Sequence, residues 1–134
     1  MAEFIAKTRT NYFGVKDEAL FRDLIKEAAE DQRDLEIITN DGKFGFCCEG
    51  TLTGIYSPDC ADMTEAFYAR LQPIIADDDA CIIVTAGWEK FCSVDADAVI
   101  VTNKDIKELS MSSMAIKAAA EMLGQHGWST KLEE

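Results

Sequence analysis

The sequence predicts an α+β fold: a mainly antiparallel sheet of about six strands with three helices packed on it, forming one acidic domain over residues 1–134. Three observations point there. Short β-rich runs are separated by Asn, Asp and Gly, and three segments repeat apolar residues every three or four positions. An Asp-Gly pair also sits between two strand-like runs, a hairpin signal because both turn positions tolerate positive φ. At 134 residues the chain is long enough to bury a core without disulfides or metal.

Residues 10–15 read as a short first strand. Asp17 is a good N-cap for a helix whose Leu20, Phe21, Leu24, Ile25 and Ala28 make one apolar face. Glu18, Arg22, Asp23, Lys26, Glu27 and Glu30 lie opposite, and the helix should end near Asp31. Strands follow at 35–39 and 43–49 around Asn40-Asp41-Gly42, and Gly50 leads to a third at 51–55 before Ser57-Pro58-Asp59 breaks the pattern. Asp62 can cap a second helix carrying Met63, Ala66, Phe67 and Leu71 on one side, with Pro73 near its end. The acidic loop Asp77-Asp78-Asp79 precedes an interior strand at 80–85, and residues 87–91 are expected to turn the chain into a long strand at 93–102. After Asn103-Lys104 comes a short strand at 106–109. Ser110 then caps a last helix with Met111, Met114, Ala115, Ala118 and Met122 near one face and Gly124 at its C-cap. Residues 125–134 are expected to be an irregular tail. The order is β-α-βββ-α-βββ-α, and the blocks starting at Asp17 and Asp62 share an outline of helix followed by meander.

Charge narrows function. Thirteen Lys and Arg against 25 Asp and Glu give a net charge of −12, with a pI near 4.4. That field repels phosphate, which argues against direct binding to nucleic acid or an anionic membrane. No apolar run approaches the ~18 residues of a membrane span and the opening residues lack a signal-peptide pattern, so a cytoplasmic protein is expected. The five cysteines (Cys47, Cys48, Cys60, Cys81, Cys92) are odd in number and lack framework spacing, which fits a reduced chain. Cys47 and Cys48 adjoin in a strand and should leave opposite faces of the sheet. Neither CxxC nor HxxxH occurs, so no structural zinc, other metal or cofactor is expected.

The sole histidine, His126, has no local nucleophile or orienting carboxylate and reads as an exposed tail residue. Gly42, Gly45, Gly50 and Gly54 lie among strands rather than between a strand and a helix, so they serve turns rather than a phosphate cradle. Carboxylates recur in groups: Asp59 with Asp62, Asp77 to Asp79, and Asp95 with Asp97. Asp95 and Asp97 would share one face of a strand, which suits a divalent cation or an acid and base pair. The acidity has another use. Duplex DNA carries one charge per ~1.7 Å of axis, and carboxylates at helix and strand spacings approach that density. Such a surface can occupy the cationic groove of a nucleic-acid enzyme. The candidate partner-binding residues are Asp77, Asp78, Asp79, Asp95 and Asp97, with Glu30, Asp31 and Asp34 as a second patch. Trp88, Tyr56 and Trp128 are candidate aromatic anchors.

Trp88-Glu89-Lys90-Phe91, the run from Ala98-Val99-Ile100-Val101-Thr102-Asn103-Lys104-Asp105 to Ile106, and the opening Thr10-Asn11-Tyr12-Phe13-Gly14-Val15-Lys16-Asp17-Glu18 resemble a family of small acidic proteins carried on bacterial mobile elements. The resemblance covers most of the chain in outline and carries no catalytic signature. It implies a phage or plasmid setting, in which anti-CRISPR proteins that imitate DNA are the best-known class of small acidic inhibitor. The leading expectation is therefore a non-enzymatic inhibitor whose partner is a basic nucleic-acid-binding protein such as a Cas nuclease. Two alternatives stand beside it. One is an enzyme, either a metal-dependent hydrolase using Asp95 and Asp97 or a thiol enzyme. The other is an interaction partner within the mobile element, a homodimer subunit included.

Overall fold

The computed structural model describes residues 5–30, 34–52, 63–89 and 93–130. Among these residues six antiparallel strands form one sheet and three helices accompany it, an α+β fold. In chain order these are β1 (Ile5–Thr10), α1 (Glu18–Ala29), β2 (Glu36–Asn40), β3 (Lys43–Glu49), α2 (Thr64–Leu71), β4 (Cys81–Glu89), β5 (Ser93–Val101), β6 (Ile106–Ser110) and α3 (Met111–Leu123). The strands lie in the order β2-β3-β1-β4-β5-β6. The two helix-and-meander blocks thus occupy opposite halves of the sheet, with β1 between them.

Strand β1 runs earlier than the sequence pattern indicates. Phe13 and Val15, expected inside it, make only isolated bridges to Phe44 and Ile75. The polar run Lys7-Thr8-Arg9-Thr10 hides the strand because its threonines turn inward with their hydroxyls satisfied. Thr8 Oγ donates to the Gly50 carbonyl at 2.8 Å and shares a 2.9 Å bond with the Thr85 hydroxyl. Thr10 Oγ donates to the Asn11 carbonyl at 2.8 Å and accepts from the Phe46 N–H at 3.0 Å. Gly45 is required beside this turn, since a Cβ there would come within 2.6 Å of the Asn11 carbonyl oxygen.

Helix α1 forms where its pattern predicts. The Asp17 carboxylate accepts from the Leu20 N–H at 3.1 Å, and Phe21, Leu24, Ile25 and Ala28 are buried. Leu20, expected on that face, is instead exposed. The β2–β3 hairpin turns at Asp41 (φ 51°) and Gly42 (φ 77°), the positive-φ pair that Asp-Gly supplies. Phe67, Tyr68 and Leu71 of α2 join the α1 residues over Phe46, Cys81, Ile83 and Val101. Phe13 packs edge-on against Phe21 at 5.7 Å and Phe46 against Phe67 at the same distance. Both helices therefore cover one face of the sheet. Pro73 sits in a short 3-10 turn, Gln72–Ile74, that closes α2.

Three further expectations change or fall outside view. The expected strand at 51–55 carries no strand at Thr51 or Leu52, and its remainder lies outside the described residues, as do Asp62 and Tyr56. Residues 87–89 continue β4 rather than turning, and residues 90–92 of the expected turn lie outside the described residues. Helix α3 is capped as expected, with Ser110 Oγ accepting from the Ser113 N–H at 3.4 Å and Gly124 at φ 67°. Its apolar face is not a packing face, however. Met111, Met114, Ala115, Ala118 and Met122 are exposed, and Ala120 is the one buried residue of the helix.

Candidate interaction surfaces

The acidic loop is partly built into the fold. The Asp79 carboxylate accepts from the Gly14 and Ala80 N–H groups, each at 2.8 Å, and lies 3.4 Å from Lys43 Nζ. The Gly14 N–H bond holds its acid below the usual carboxylate range, assisted by Ala80 and Lys43. Asp77 pairs with Lys16 and accepts from the Asn103 side-chain amide at 2.6 Å. Lys16 lowers the Asp77 acid in turn. Asp78 is exposed between them.

The Lys16–Asp77 contact places the loop at the N-terminal end of α1. The solvent-facing side of that helix is an acid-rich but mixed ridge, in which Glu18, Asp23, Glu27 and Glu30 alternate with Arg22 and Lys26; Asp34, beyond it in the chain, is exposed and takes φ 54°. Arg22 pairs with Glu18 at 2.8 Å and Arg70 with Glu27 at 2.6 Å, so part of the ridge is neutralised. Over the ~18 Å of a twelve-residue helix a duplex would carry about ten charges. The ridge is sparser than DNA.

The remaining candidates do not form one site with the loop. Asp31 lies outside the described residues. Asp95 and Asp97 sit in β5 opposite Gly87 and Thr85, and Asp97 is exposed. The Asp95 side chain is outside the described ones. Among the described residues no group of three or more His, Cys, Asp or Glu is placed to hold a metal ion. Cys47, Cys48 and Cys81 are free thiols. Cys48 lies on the helix side opposite Thr8 and Cys47 on the other side opposite Arg9. Burial pushes the Cys48 thiol up and the Cys81 thiol well up, which disfavours thiolate chemistry at both. Cys60 and Cys92 lie outside the described residues. His126 is exposed, beside the half-buried Trp128 in a hollow against α3.

The sheet face away from α1 and α2 is the feature that the sequence reading missed. Register and alternation put Ile82, Val84, Ala86 and Trp88 of β4 on it, beside Val94, Ala96, Ala98 and Ile100 of β5. Trp88 is 47% exposed and Val94 70%. A shallow groove of about 420 Å³ lies between Ile82, Val84 and Ala86 on one side and Lys7, Arg9 and Asn11 on the other. Arg9 stacks over Tyr12 at 5.7 Å, and Lys7 pairs with Glu49 at 3.3 Å. Lys7, Arg9 and Lys107 stand on this face against Glu36 and Glu49, a balance opposite to that of the whole chain. The signal was present in β4, whose apolar residues run through both alternations from Cys81 to Val84. That pattern marks a strand with two apolar faces but not what covers the second.

No helix among the described residues is long and apolar enough to cross a membrane. No family model, curated protein or solved structure matches the chain.

Proposed function

We propose that this chain is a non-enzymatic inhibitor that docks its acidic ridge on the cationic surface of a nucleic-acid-binding defence protein, in the manner of an anti-CRISPR. The observation that supports this reading is the Lys16–Asp77 contact, which joins the 77–79 loop to the α1 carboxylates on the side of the molecule away from the open sheet face. Asp77 and Asp78 thereby stand beside the start of an acid-rich helix. Because its density is below that of a duplex, the ridge is not a charge-for-charge replica of DNA. It serves to steer a −12 protein onto Arg and Lys that otherwise hold phosphates, with charge-assisted hydrogen bonds after contact.

The test is competition. The chain is used to capture its partner from cells carrying defence systems, and the purified pair is challenged with DNA at rising salt. The reading expects a nucleic-acid-binding partner, mutual exclusion with DNA, and association that slows as salt rises. The triple variant Glu30→Lys, Asp34→Lys, Asp78→Lys spares the structural Asp77 and Asp79 and should slow association by about tenfold or more. A partner that binds the chain and DNA together, or a variant that associates at the original rate, overturns the reading.

A further inference from the structure

We infer that a second copy of this chain covers the open sheet face, each protomer laying the outward methionine face of its α3 on the β1–β4–β5 surface of the other. Two apolar surfaces lack a partner among the described residues of one chain. One is the sheet face with Ile82, Val84, Trp88 and Val94; the other is α3, where Met122 is 87% exposed on the same side as Met111 and Met114. Apolar sheet faces are ordinarily covered by a helical layer, and an amphipathic helix needs an apolar floor. Each surface has the chemistry that the other requires, and methionines adapt readily to a flat aliphatic floor.

Charge selects a second copy as the occupant. Two chains of −12 repel wherever their carboxylates meet. These two surfaces are where the negative balance disappears. Helix α3 carries Lys117 and Glu121 alone, and the sheet face carries Lys7, Arg9 and Lys107 against Glu36 and Glu49. Lys7 and Arg9 at the groove's rim complement Glu121 and the partial negative charge at the C-terminal end of α3. The area is that of a reversible pair. Ordinary strand rise and spacing give the β1–β4–β5 surface roughly 380 Å². With the ~200 Å² of the helix face added, each chain offers about 580 Å², near the low end of stable interfaces, which suits a dimer that dissociates on dilution. Reciprocal docking repeats the same contact twice about a two-fold axis and closes the assembly. The acidic ridge lies on the other side and stays free, so this inference stands or falls separately from the proposed inhibitor role.

Sedimentation velocity of the full chain over a concentration series tests it. A reversible dimer is expected. Val94→Asp on the sheet and Met114→Glu on the helix should each raise its dissociation constant about a hundredfold or more. Both residues are exposed, and circular dichroism and melting establish that each variant folds; Val84→Asp replaces the first if it does not. Mixing the sheet variant with the helix variant should restore a dimer intermediate in strength, because one of its two contacts then joins an intact helix to an intact sheet. A wild-type chain that stays monomeric throughout, a dimer indifferent to Met114→Glu, or a mixture that fails to associate each overturns the inference.

Discussion

Helices α1 and α3 are near equals in length, at 12 and 13 residues, and both begin at an N-cap side chain that accepts a backbone N–H. Yet α1 buries Phe21, Leu24, Ile25 and Ala28, whereas α3 buries only Ala120. Local signals are thus sufficient to start and stop a helix, while burial depends on what lies opposite. Helix α1 closes over Phe46 and Ile83 together with α2. Helix α3 stands beside β5 and β6 with its methionines outward. One helix belongs to the core; the other presents a surface.

The largest expected effect separates these roles directly. Phe21 is fully buried and packs edge-on against Phe13, so Phe21→Ala should cost about 3–5 kcal/mol of unfolding free energy. Met122→Ala should change the stability of the monomer by less than about 0.5 kcal/mol. Urea unfolding of the two variants at a concentration that keeps the chain monomeric measures the contrast. Comparable losses would mean that α3 is part of the core after all.

What could be read in advance follows the same division. The cap at Asp17, the apolar face from Phe21 to Ala28, the Asp41-Gly42 turn and the Ser110 and Gly124 caps are local, and each stands where its residue pattern indicates. The early start of β1 was hidden because Thr8 and Thr10 look like surface residues until Gly50, Thr85 and Phe46 arrive from elsewhere in the chain to bond them. Asp79 was visible as acid but not as a structural tie, since Gly14 lies 65 residues away in sequence. The periodicity of α3 showed an apolar face without showing whether this chain or another covers it.

Asp79 sharpens the comparison through pH. Its Gly14 bond ties the loop before β4 to the chain ahead of α1, its Lys43 contact reaches the start of β3, and its Ala80 bond stays within the loop. Asp79→Ala leaves the Gly14 N–H without its acceptor and should cost about 1–3 kcal/mol at neutral pH. Because its acid is depressed in the folded state, the stabilisation is fully present above the unfolded value near 3.9 and is lost as pH falls through the folded value. Stability curves for the wild type and the variant should therefore converge in acid. A constant gap across that range would show that the carboxylate charge contributes nothing. Local opening of α3, followed by hydrogen exchange, should be indifferent to the substitution.

The smallest effect is the most discriminating, because the same change is made at both helix starts. Asp17→Ala removes an acceptor 3.1 Å from the Leu20 N–H, at the head of a helix wedged into the core. Since α1 unfolds only when the core does, the loss of about 1 kcal/mol should appear in global unfolding. Ser110→Ala removes a longer contact, 3.4 Å, from a helix with a single buried residue. In the monomer its cost should fall on local opening, as faster amide exchange confined to α3, with global unfolding shifted by a few tenths of a kcal/mol at most. In the dimer inferred above α3 is clamped against a second sheet, and the Ser110→Ala penalty should then move from local exchange into the dissociation constant. A penalty that appears in global unfolding at every concentration would place α3 in the same cooperative unit as α1, and the contrast between the two helices would be one of exposure alone.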